Sequence, residues 1–240
     1  MKLGIMQPYF FPYLGHFSLI AHCDQWVVFD ISQYTRKSWM NRNRILHPKQ
    51  SWQYISAPVA NAYLGIKTQE VLLKDLEATQ AQLLGKLSHY RKLAPNYHQV
   101  IDLVKLCFEE NSEPFLVNLN TQILRVICQY LDIPFNYQVC SKMNLSFPKR
   151  MEAGDWALEI SKQCGASRYI NPSSGRSLFS PETFKASSIE LGFLDFNNPS
   201  YAVKGFEFEA GLSILDVLMW NSVAEVREMI FTNTVIDFVS

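Results

Sequence analysis

The segment from Gln33 to Arg44 combines cationic, amide and aromatic side chains that could bind a phosphorylated, ring-bearing ligand. Between Ile31 and Gln69 there are six Lys or Arg residues and no Asp or Glu, although the net charge of the chain is zero. Guanidinium groups form paired hydrogen bonds with phosphates and stack on rings. The segment therefore predicts an anion site, and the alternative is a solvated basic loop. The predicted ligand-binding residues are Tyr34, Arg36, Trp39, Asn41, Arg42 and Asn43.

Arg42 and Arg44 lie two residues apart in this segment. We expect one of them to face the ligand and the other to pack inward or pair with an acid. Arg42, together with Asn43, is assigned to the ligand side. Asp30 is either the structural partner of the inward arginine or a catalytic residue.

A second candidate site is the aromatic segment from Gln7 to His16, which follows the first predicted strand and leads into the first predicted helix. Ligands of open α/β sheets usually bind at such strand ends, where helix amides face them. Gln7 is predicted to contact the ligand. His16 could donate to a phosphate or act as a catalytic acid or base near neutral pH. The alternative is a rigid lid packed from four aromatic residues and two prolines.

A third candidate is the polar loop from Asn171 to Ser177, which is predicted to open on the same edge of the sheet. Its backbone amides could bind a phosphate, with Arg176 adding charge and Gly175 allowing close approach. The spacing of a P-loop is missing, and a turn with helix-capping serines is the alternative. The residues predicted to bind ligand here are Asn171, Gly175 and Arg176.

The region from Glu182 to Asp237 is acidic, with nine Asp or Glu against three Lys or Arg. Asp216 falls in the first turn of a predicted helix and is, with His16, the predicted catalytic residue, because a carboxylate of raised pKa can act as a general base. The alternative is that these acids pair with the basic segment or stabilise a helix N-terminus. Glu209 is expected to be structural.

Composition excludes several classes of protein. No run of about 18 apolar residues could span a bilayer, and Gln7-Pro8 ends the first apolar stretch too early for a signal peptide, so a cytoplasmic location without membrane insertion is expected. Five scattered cysteines without a C-x-x-C pair argue against a disulfide framework and a zinc site, and no metal or cofactor is expected. One basic segment in a neutral chain is too little for nucleic-acid binding.

Hydrophobic patterning predicts the elements that position these sites. A strand, a helix and a strand at 2–6, 14–22 and 26–30 imply a parallel pair with a right-handed crossover. Three helices follow at 70–92, 97–109 and 114–131. Alternation then resumes, with strands at 135–139, 167–170 and 189–196 and helices at 153–164, 181–186, 213–221 and 223–231. The predicted fold class is α/β, with a parallel-sheet Rossmann-like core from residues 1–69 and 133–240 and a helical insertion or lobe at 70–132.

The piece Pro12-Tyr13-Leu14-Gly15-His16, placed between two strands, resembles the HIGH-type loop of nucleotidylyltransferases and pantothenate-synthetase-like ligases. The first histidine of that motif is absent here. The resemblance implies a HIGH-type version of the α/β core, and an enzyme that transfers a nucleotidyl group or ligates through an adenylate.

Separated motifs in the same order resemble the WbqC-like family: residues 6–15, Asp30, and residues 39–45, 166–172, 191–194 and 213–218. Members are typically encoded with bacterial O-antigen, lipopolysaccharide and other surface-polysaccharide pathways. The resemblance implies an enzyme, expected to be a transferase, whose partner is a nucleotide-linked amino sugar or another phosphorylated small molecule. Acyl or aminoacyl transfer from an acyl thioester is the expected reaction. A non-catalytic accessory protein of the pathway is a further alternative.

Overall fold

The computed structural model describes residues 1–109 and 113–239, which form a six-stranded sheet with helices on both faces and a separate two-stranded hairpin. The predicted α/β fold with a parallel sheet is confirmed. The strands are β1 (Lys2–Met6), β2 (Gln25–Val28), β3 (Arg42–Leu46), β4 (Trp52–Ser56), β5 (Tyr137–Val139), β6 (Arg168–Pro172), β7 (Glu190–Phe196) and β8 (Thr234–Val239). The helices are α1 (Leu14–Ala21), α2 (Leu76–Leu87), α3 (Tyr97–Glu109), α4 (Leu116–Tyr130), α5 (Asp155–Gln163), α6 (Pro181–Ala186), α7 (Ile214–Trp220) and α8 (Val223–Thr232).

The strand order of the large sheet is β5-β2-β1-β6-β7-β8, and only the β7-β8 pair is antiparallel among its neighbours. From β1 the chain moves outward to β2 and β5, and it then returns to β6 on the other side of β1. The direction of winding therefore reverses between β1 and β6. This reversal is the topological switch point, beyond whose strand ends open α/β sheets bind ligands.

The central strands are apolar because both faces of the sheet are covered. Leu3 of β1 and Val27 of β2 are fully buried under α5 and α6, whereas Trp26 faces the cluster that contains α1, α7 and α8. A Cβ atom on Gly4 would lie 2.7 Å from the ring of Trp26. Glycine at this position therefore lets the Trp26 ring lie across β1.

The helical block between β4 and β5 packs on the α1 side of the sheet. Buried residues of α2, α3 and α4, such as Leu87, Val104 and Leu124, belong to the same hydrophobic cluster as Phe17 of α1. The predicted first helix of this block is shorter than expected, because Asp75 caps α2 by accepting a hydrogen bond from the Ala78 amide at 2.8 Å. The division of the chain into a core and a lobe stays a prediction.

The hairpin β3-β4 and the edge strand β8 are absent from the sequence prediction. β3 carries polar residues at its first three positions, and β8 is only partly buried because it lies at the edge of the sheet. In the described ranges no helix combines the length and the apolar composition needed to cross a membrane.

Candidate functional site

Three cavities surround the carboxyl ends of β1 and β6, and Tyr9 lines all three. The α1-side cavity, of about 280 Å³, also contains Tyr13, His16, Trp39 and Ser174. The hairpin-side cavity shares Tyr13 and Trp39 with it and adds Asn43. The α5-side cavity, lined by residues that include Phe29, Trp156 and Phe179, lies on the other face of the sheet. The predicted loop after β1 and the predicted loop after β6 therefore meet at the switch point.

The loop between β1 and α1 is held by side chains that bind its carbonyl oxygens. Asn43 donates to the carbonyl of Phe11 at 2.9 Å, and Ser213 donates to the same carbonyl at 2.7 Å. Asn120 of α4 donates to the carbonyl of Pro8 at 2.8 Å. Phe11 has a φ of 40°, a conformation that non-glycine residues adopt at an energetic cost. The three polar side chains thus fix an otherwise unfavourable loop.

His16 lies in the first turn of α1 and is 3% exposed. Its ring packs 5.3 Å from the ring of Trp26 and 5.4 Å from that of Tyr9, between centroids. Its Nε2 atom is buried and has no hydrogen-bond partner among the described residues. Burial lowers the pKa of His16 from 6.5 to about 3, so the ring is neutral at physiological pH. A neutral imidazole can hydrogen-bond a ligand but is a weak proton acceptor.

Tyr9, Tyr13 and Trp39 form the aromatic surface of the α1-side and hairpin-side cavities. Burial raises the pKa of both tyrosines, so their hydroxyl groups are protonated and can donate hydrogen bonds. The Tyr9 hydroxyl makes no hydrogen bond within the described part of the chain. Trp39 is 42% exposed, which leaves its ring open to a ligand. A Cβ atom on Gly15 would lie 2.5 Å from the Tyr13 ring, so glycine there allows the ring to lie over α1.

Arg42 and Arg44 do not differ in the way that we expected. Residues two apart on a strand share a face, and both arginines lie on the more exposed face of β3, whereas Asn43 between them is buried. The Arg42 guanidinium lies 4.1 Å from the Tyr54 ring centroid, and that of Arg44 lies 5.7 Å from the Trp39 ring. These distances are those of cation–π contacts.

The two arginines differ in their charge partners. Arg44 is 3.9 Å from a carboxylate oxygen of Glu209, in agreement with a structural role for that acid. Arg42 makes no ion pair within the described residues. Among the described residues, its charge is therefore not neutralised by an acidic side chain.

Other residues of the basic segment lie elsewhere. Tyr34 and Arg36 line a different cavity together with Tyr63, and the Arg36 guanidinium donates to the carbonyl of Ala62. The side-chain amide of Asn41 donates to the carbonyl of Ala57 at 3.3 Å. The structure thus divides the predicted anion segment into two separate regions.

The loop after β6 reaches the switch point through Pro172 and Ser174, which line the α1-side cavity, and through Asn171, which lines the α5-side cavity. A Cβ atom on Gly175 would lie 2.3 Å from the Asn171 amide nitrogen, so glycine is needed for this close approach. Arg176 pairs with Asp237 at 2.8 Å. Its charge is engaged at the edge strand β8 and not at the cavities.

Asp216 is fully buried in a hydrogen-bond network that joins α7 to the hairpin. Its carboxylate accepts from the Leu46 amide at 3.2 Å, from the Tyr201 hydroxyl at 2.9 Å and from the Tyr90 hydroxyl. Burial raises its pKa from 3.8 to about 6, against the lowering effect of these donors. Asp216 has no surface that a substrate could contact in this conformation.

Asp30 and Gln7 also have partners within the protein. Asp30 is buried and accepts a hydrogen bond from the Ser141 amide at 2.9 Å, so its partner is Ser141 and not an arginine, which was one of the two roles considered for it. The Gln7 side chain lines the α5-side cavity and donates to the Ser32 hydroxyl at 2.8 Å. Over the part of the chain that is described, no group of three or more His, Cys, Asp or Glu is placed to bind a metal ion.

Several residues important for the site were missed by the sequence analysis. Tyr9 and Tyr13 lay in the predicted loop but were not assigned to the ligand, although aromatic residues at a strand end were a usable signal. Asn120 and Ser213 carried no local signal, because their role depends on carbonyl groups more than 100 residues away in the chain.

Comparisons with known proteins match nearly the whole chain. The model of the WbqC-like protein family matches residues 7–228. A curated relative, Uncharacterized protein Rv1507c of Mycobacterium tuberculosis (strain ATCC 25618 / H37Rv), is 29% identical over 235 residues, which cover 95% of this chain and 96% of the relative. No solved structure matches the chain. Since the family match runs from the loop after β1 into α8, the chain belongs to the WbqC-like protein family.

Proposed function

We propose that the protein is a transferase that binds a nucleotide-linked amino sugar at the switch point and modifies its amino group. The observation that carries the proposal is an uncharged aromatic cleft, formed by Tyr9, Tyr13 and Trp39, whose Trp39 ring lies 5.7 Å from the guanidinium of Arg44 on β3. Aromatic rings suit the flat faces of sugars and bases, and guanidinium groups suit a diphosphate. The resemblance to WbqC-like proteins supports a role in O-antigen or other surface-polysaccharide assembly, and we place the reaction in the cytoplasm.

In the proposed complex, a ring of the ligand lies against Trp39 and the diphosphate lies along β3. Arg42, on the same face of β3, supplies a positive charge that has no acidic partner among the described residues, and Arg44 packs against the Trp39 ring. Tyr9 donates a hydrogen bond from its unpartnered hydroxyl. These roles replace Arg36 and Tyr34, which lie in another cavity.

The proposed reaction is acyl transfer from a thioester. The amine nitrogen of the sugar attacks the thioester carbonyl carbon, an N–C bond forms and the C–S bond breaks. The amine proton ends on the departing thiolate, because an ordinary thiol has a pKa of about 8.5 and His16 one of about 3. His16 therefore orients the reacting groups by hydrogen bonding, and Asp216 acts only through the packing of α7.

Nucleotidyl transfer is a second candidate, favoured by the placement of Gly15 and His16 in the first turn of the helix that follows β1 at the switch point. A neutral imidazole there could hydrogen-bond a phosphoryl oxygen. This candidate predicts magnesium-dependent release of pyrophosphate from a nucleoside triphosphate.

The test is isothermal titration of the wild-type chain with uridine, thymidine and guanosine diphosphate-linked amino sugars. We expect Trp39→Ala to weaken binding at least about tenfold, the scale of one lost stacking contact. Tyr63→Ala is the matched control, because Tyr63 is an exposed aromatic residue of the Tyr34 cavity and should leave binding unchanged.

Two results would overturn the proposal. Absence of binding to every nucleotide sugar, with pyrophosphate release from any triphosphate, would replace it with nucleotidyl transfer. If the chain neither bound a nucleotide sugar nor released pyrophosphate, and the purified chain captured a pathway enzyme, a non-catalytic accessory role would replace the proposal.

A further inference from the structure

The α5-side cavity is a second cavity at the same strand ends, on the opposite face of the sheet from His16. It has a volume of about 280 Å³ and shares Met6 and Tyr9 with the α1-side cavity. Its other walls include Phe29, Trp156 and Phe179. A group bound here and a ligand bound in the aromatic cleft would therefore both reach Tyr9.

Three of the polar side chains that line this cavity, those of Gln7, Tyr169 and Asn171, are already hydrogen-bonded within the protein. The Tyr169 hydroxyl donates to the side-chain Oδ1 atom of Asn171 at 2.8 Å, and the side-chain amide of Asn171 donates to the backbone carbonyl of Pro172 at 2.9 Å. The Gln7 amide donates to the hydroxyl of Ser32. Among the described residues, no Lys, Arg, Asp or Glu lines the cavity. A charged ligand would lose its hydration here without gaining an ion pair, which is unfavourable. An apolar group has no such desolvation cost.

The walls of the cavity are held by aromatic contacts. The Trp156 ring lies 5.8 Å from the ring of Phe29 and 4.9 Å from that of Phe147, between centroids. The Phe179 ring lies 5.6 Å from that of Tyr169. Such contacts fix the shape of the cavity before a ligand binds, and the volume lies just below the usual range for small-molecule sites. The occupant is therefore a short apolar group.

We infer that the α5-side cavity binds the apolar acyl group of the thioester donor, with its carbonyl carbon at Tyr9. The inference rests on the proposed function, acyl transfer from a thioester. It adds that the acyl group of the donor is short and apolar. The sugar amine would approach from the aromatic cleft, so that the two substrates reach Tyr9 from opposite faces of the sheet. A short unbranched acyl chain fits the volume, and the charged part of a carrier would stay outside.

The test is isothermal titration of the full chain with acetyl, butyryl and hexanoyl thioesters of N-acetylcysteamine. Burial of a methylene group predicts about fourfold tighter binding for each one added, until the cavity is full. Ala157→Phe places a ring in the cavity from α5 and should abolish this dependence on chain length. Ala81→Phe, at an exposed position of α2, is the matched control and should retain it.

A second variant keeps the test decisive if Ala157→Phe does not fold. Ala153 is exposed and lines the mouth of the cavity, so Ala153→Phe can narrow the entrance without entering the core. Equal affinity for all three thioesters, no binding of any of them, or an unchanged length dependence in the variant that folds would overturn the inference.

Titration of the same variants with nucleotide sugars separates the two proposals. If the sugars bind but the thioesters show no length dependence, the cavity assignment fails and the proposed function keeps its sugar site. If length dependence is present and no sugar binds, the cavity assignment stands and the proposed function fails.

Discussion

The side-chain amide of Asn43 lies 2.9 Å from the carbonyl oxygen of Phe11 and donates a hydrogen bond to it. Asn43 belongs to the basic segment, and Phe11 belongs to the aromatic loop after β1. The bond therefore joins two candidate sites that lie apart in the sequence. Since Phe11 has a positive φ, the bond also stabilises a backbone conformation that the loop would otherwise leave.

Asn43→Ala should destabilise the protein and weaken ligand binding through the loop. In a buried position, the carbonyl group of Phe10 loses its side-chain donor and that of Phe11 keeps only the Ser213 hydroxyl, which costs about 1–3 kcal/mol. Urea unfolding and titration with a nucleotide sugar would measure the two effects. Asn198→Ala is the control, because Asn198 is exposed and lines the same cavity, and its stability should equal that of the wild type. Equal stability of both variants would contradict the structural role of Asn43.

The strands of the large sheet other than β8 could be predicted from the sequence, whereas the hairpin β3-β4 could not. β1 and β2 are apolar runs with polar ends. This pattern is typical of strands that are buried under helices, so both strands could be predicted. In β3 the buried position between the arginines holds Asn43, whose burial is compensated by carbonyl groups 32 and 33 residues away. No local pattern of hydrophobicity can show such a compensation. The exposed Val235 weakens the signal of β8 in a similar way.

The location of the candidate site could be predicted from the sequence, but the residues that form it could not. Strand ends followed by polar or aromatic loops indicated the edge where the cavities lie. Some of the arginines near this edge are neutralised by acids that are distant in the sequence. Arg176 pairs with Asp237, and Arg44 pairs with Glu209. The sequence shows an acidic region and a basic region but not which members meet.

Arg42→Ala should weaken binding of a nucleotide sugar about tenfold to a hundredfold, the usual worth of a hydrogen bond to a charged group. The loss should shrink as salt is added, because ions screen the guanidinium charge. Titration at low and high ionic strength would measure both effects. Arg36→Ala, in the separate cavity with Tyr34, should bind within about twofold of the wild type on the same scale. Equal losses in the two variants would place the phosphate elsewhere.

Gly15→Ala should disturb the aromatic cleft with little effect on stability. The new Cβ atom would lie 2.5 Å from the Tyr13 ring, so the ring must turn away and the two cavities that it lines change shape. Gly85→Ala is the matched control. Among the described residues, and apart from the backbone of α2 and the adjoining residues, no atom lies within 4 Å of a Cβ on Gly85, so this change should stabilise the protein by about 0.5–1 kcal/mol without altering binding. Titration and thermal unfolding distinguish the two outcomes.

Asp216→Asn should make the protein more sensitive to acid. The pKa of Asp216 is raised from 3.8 to about 6, so the folded state takes up a proton before the unfolded state as the pH falls. This group therefore adds stability as the pH falls, by about 2 kcal/mol between pH 7 and pH 4.5, and loses it as the pH rises through 6. Urea unfolding at several pH values should show a steeper acid loss in Asp216→Asn. An unchanged slope would mean that the carboxylate is solvated.

His16→Phe should have the opposite effect, because burial lowers the pKa of His16 from 6.5 to about 3. Between these values the unfolded state binds a proton that the folded state does not, so the contribution of His16 to stability falls by about 2 kcal/mol from neutral pH to pH 5. Phenylalanine retains the packing against Trp26 and removes this loss, so the variant should become more stable as the pH falls from 7 to 5, because Asp216 still takes up its proton. Leu19→Ala, in the same cavity, should lower stability equally at every pH. Because the contributions of His16 and Asp216 have opposite signs and similar size, the wild type should show a weaker pH dependence than either variant. A wild-type slope as steep as that of Asp216→Asn would show that His16 titrates alone and that Asp216 is ionised throughout.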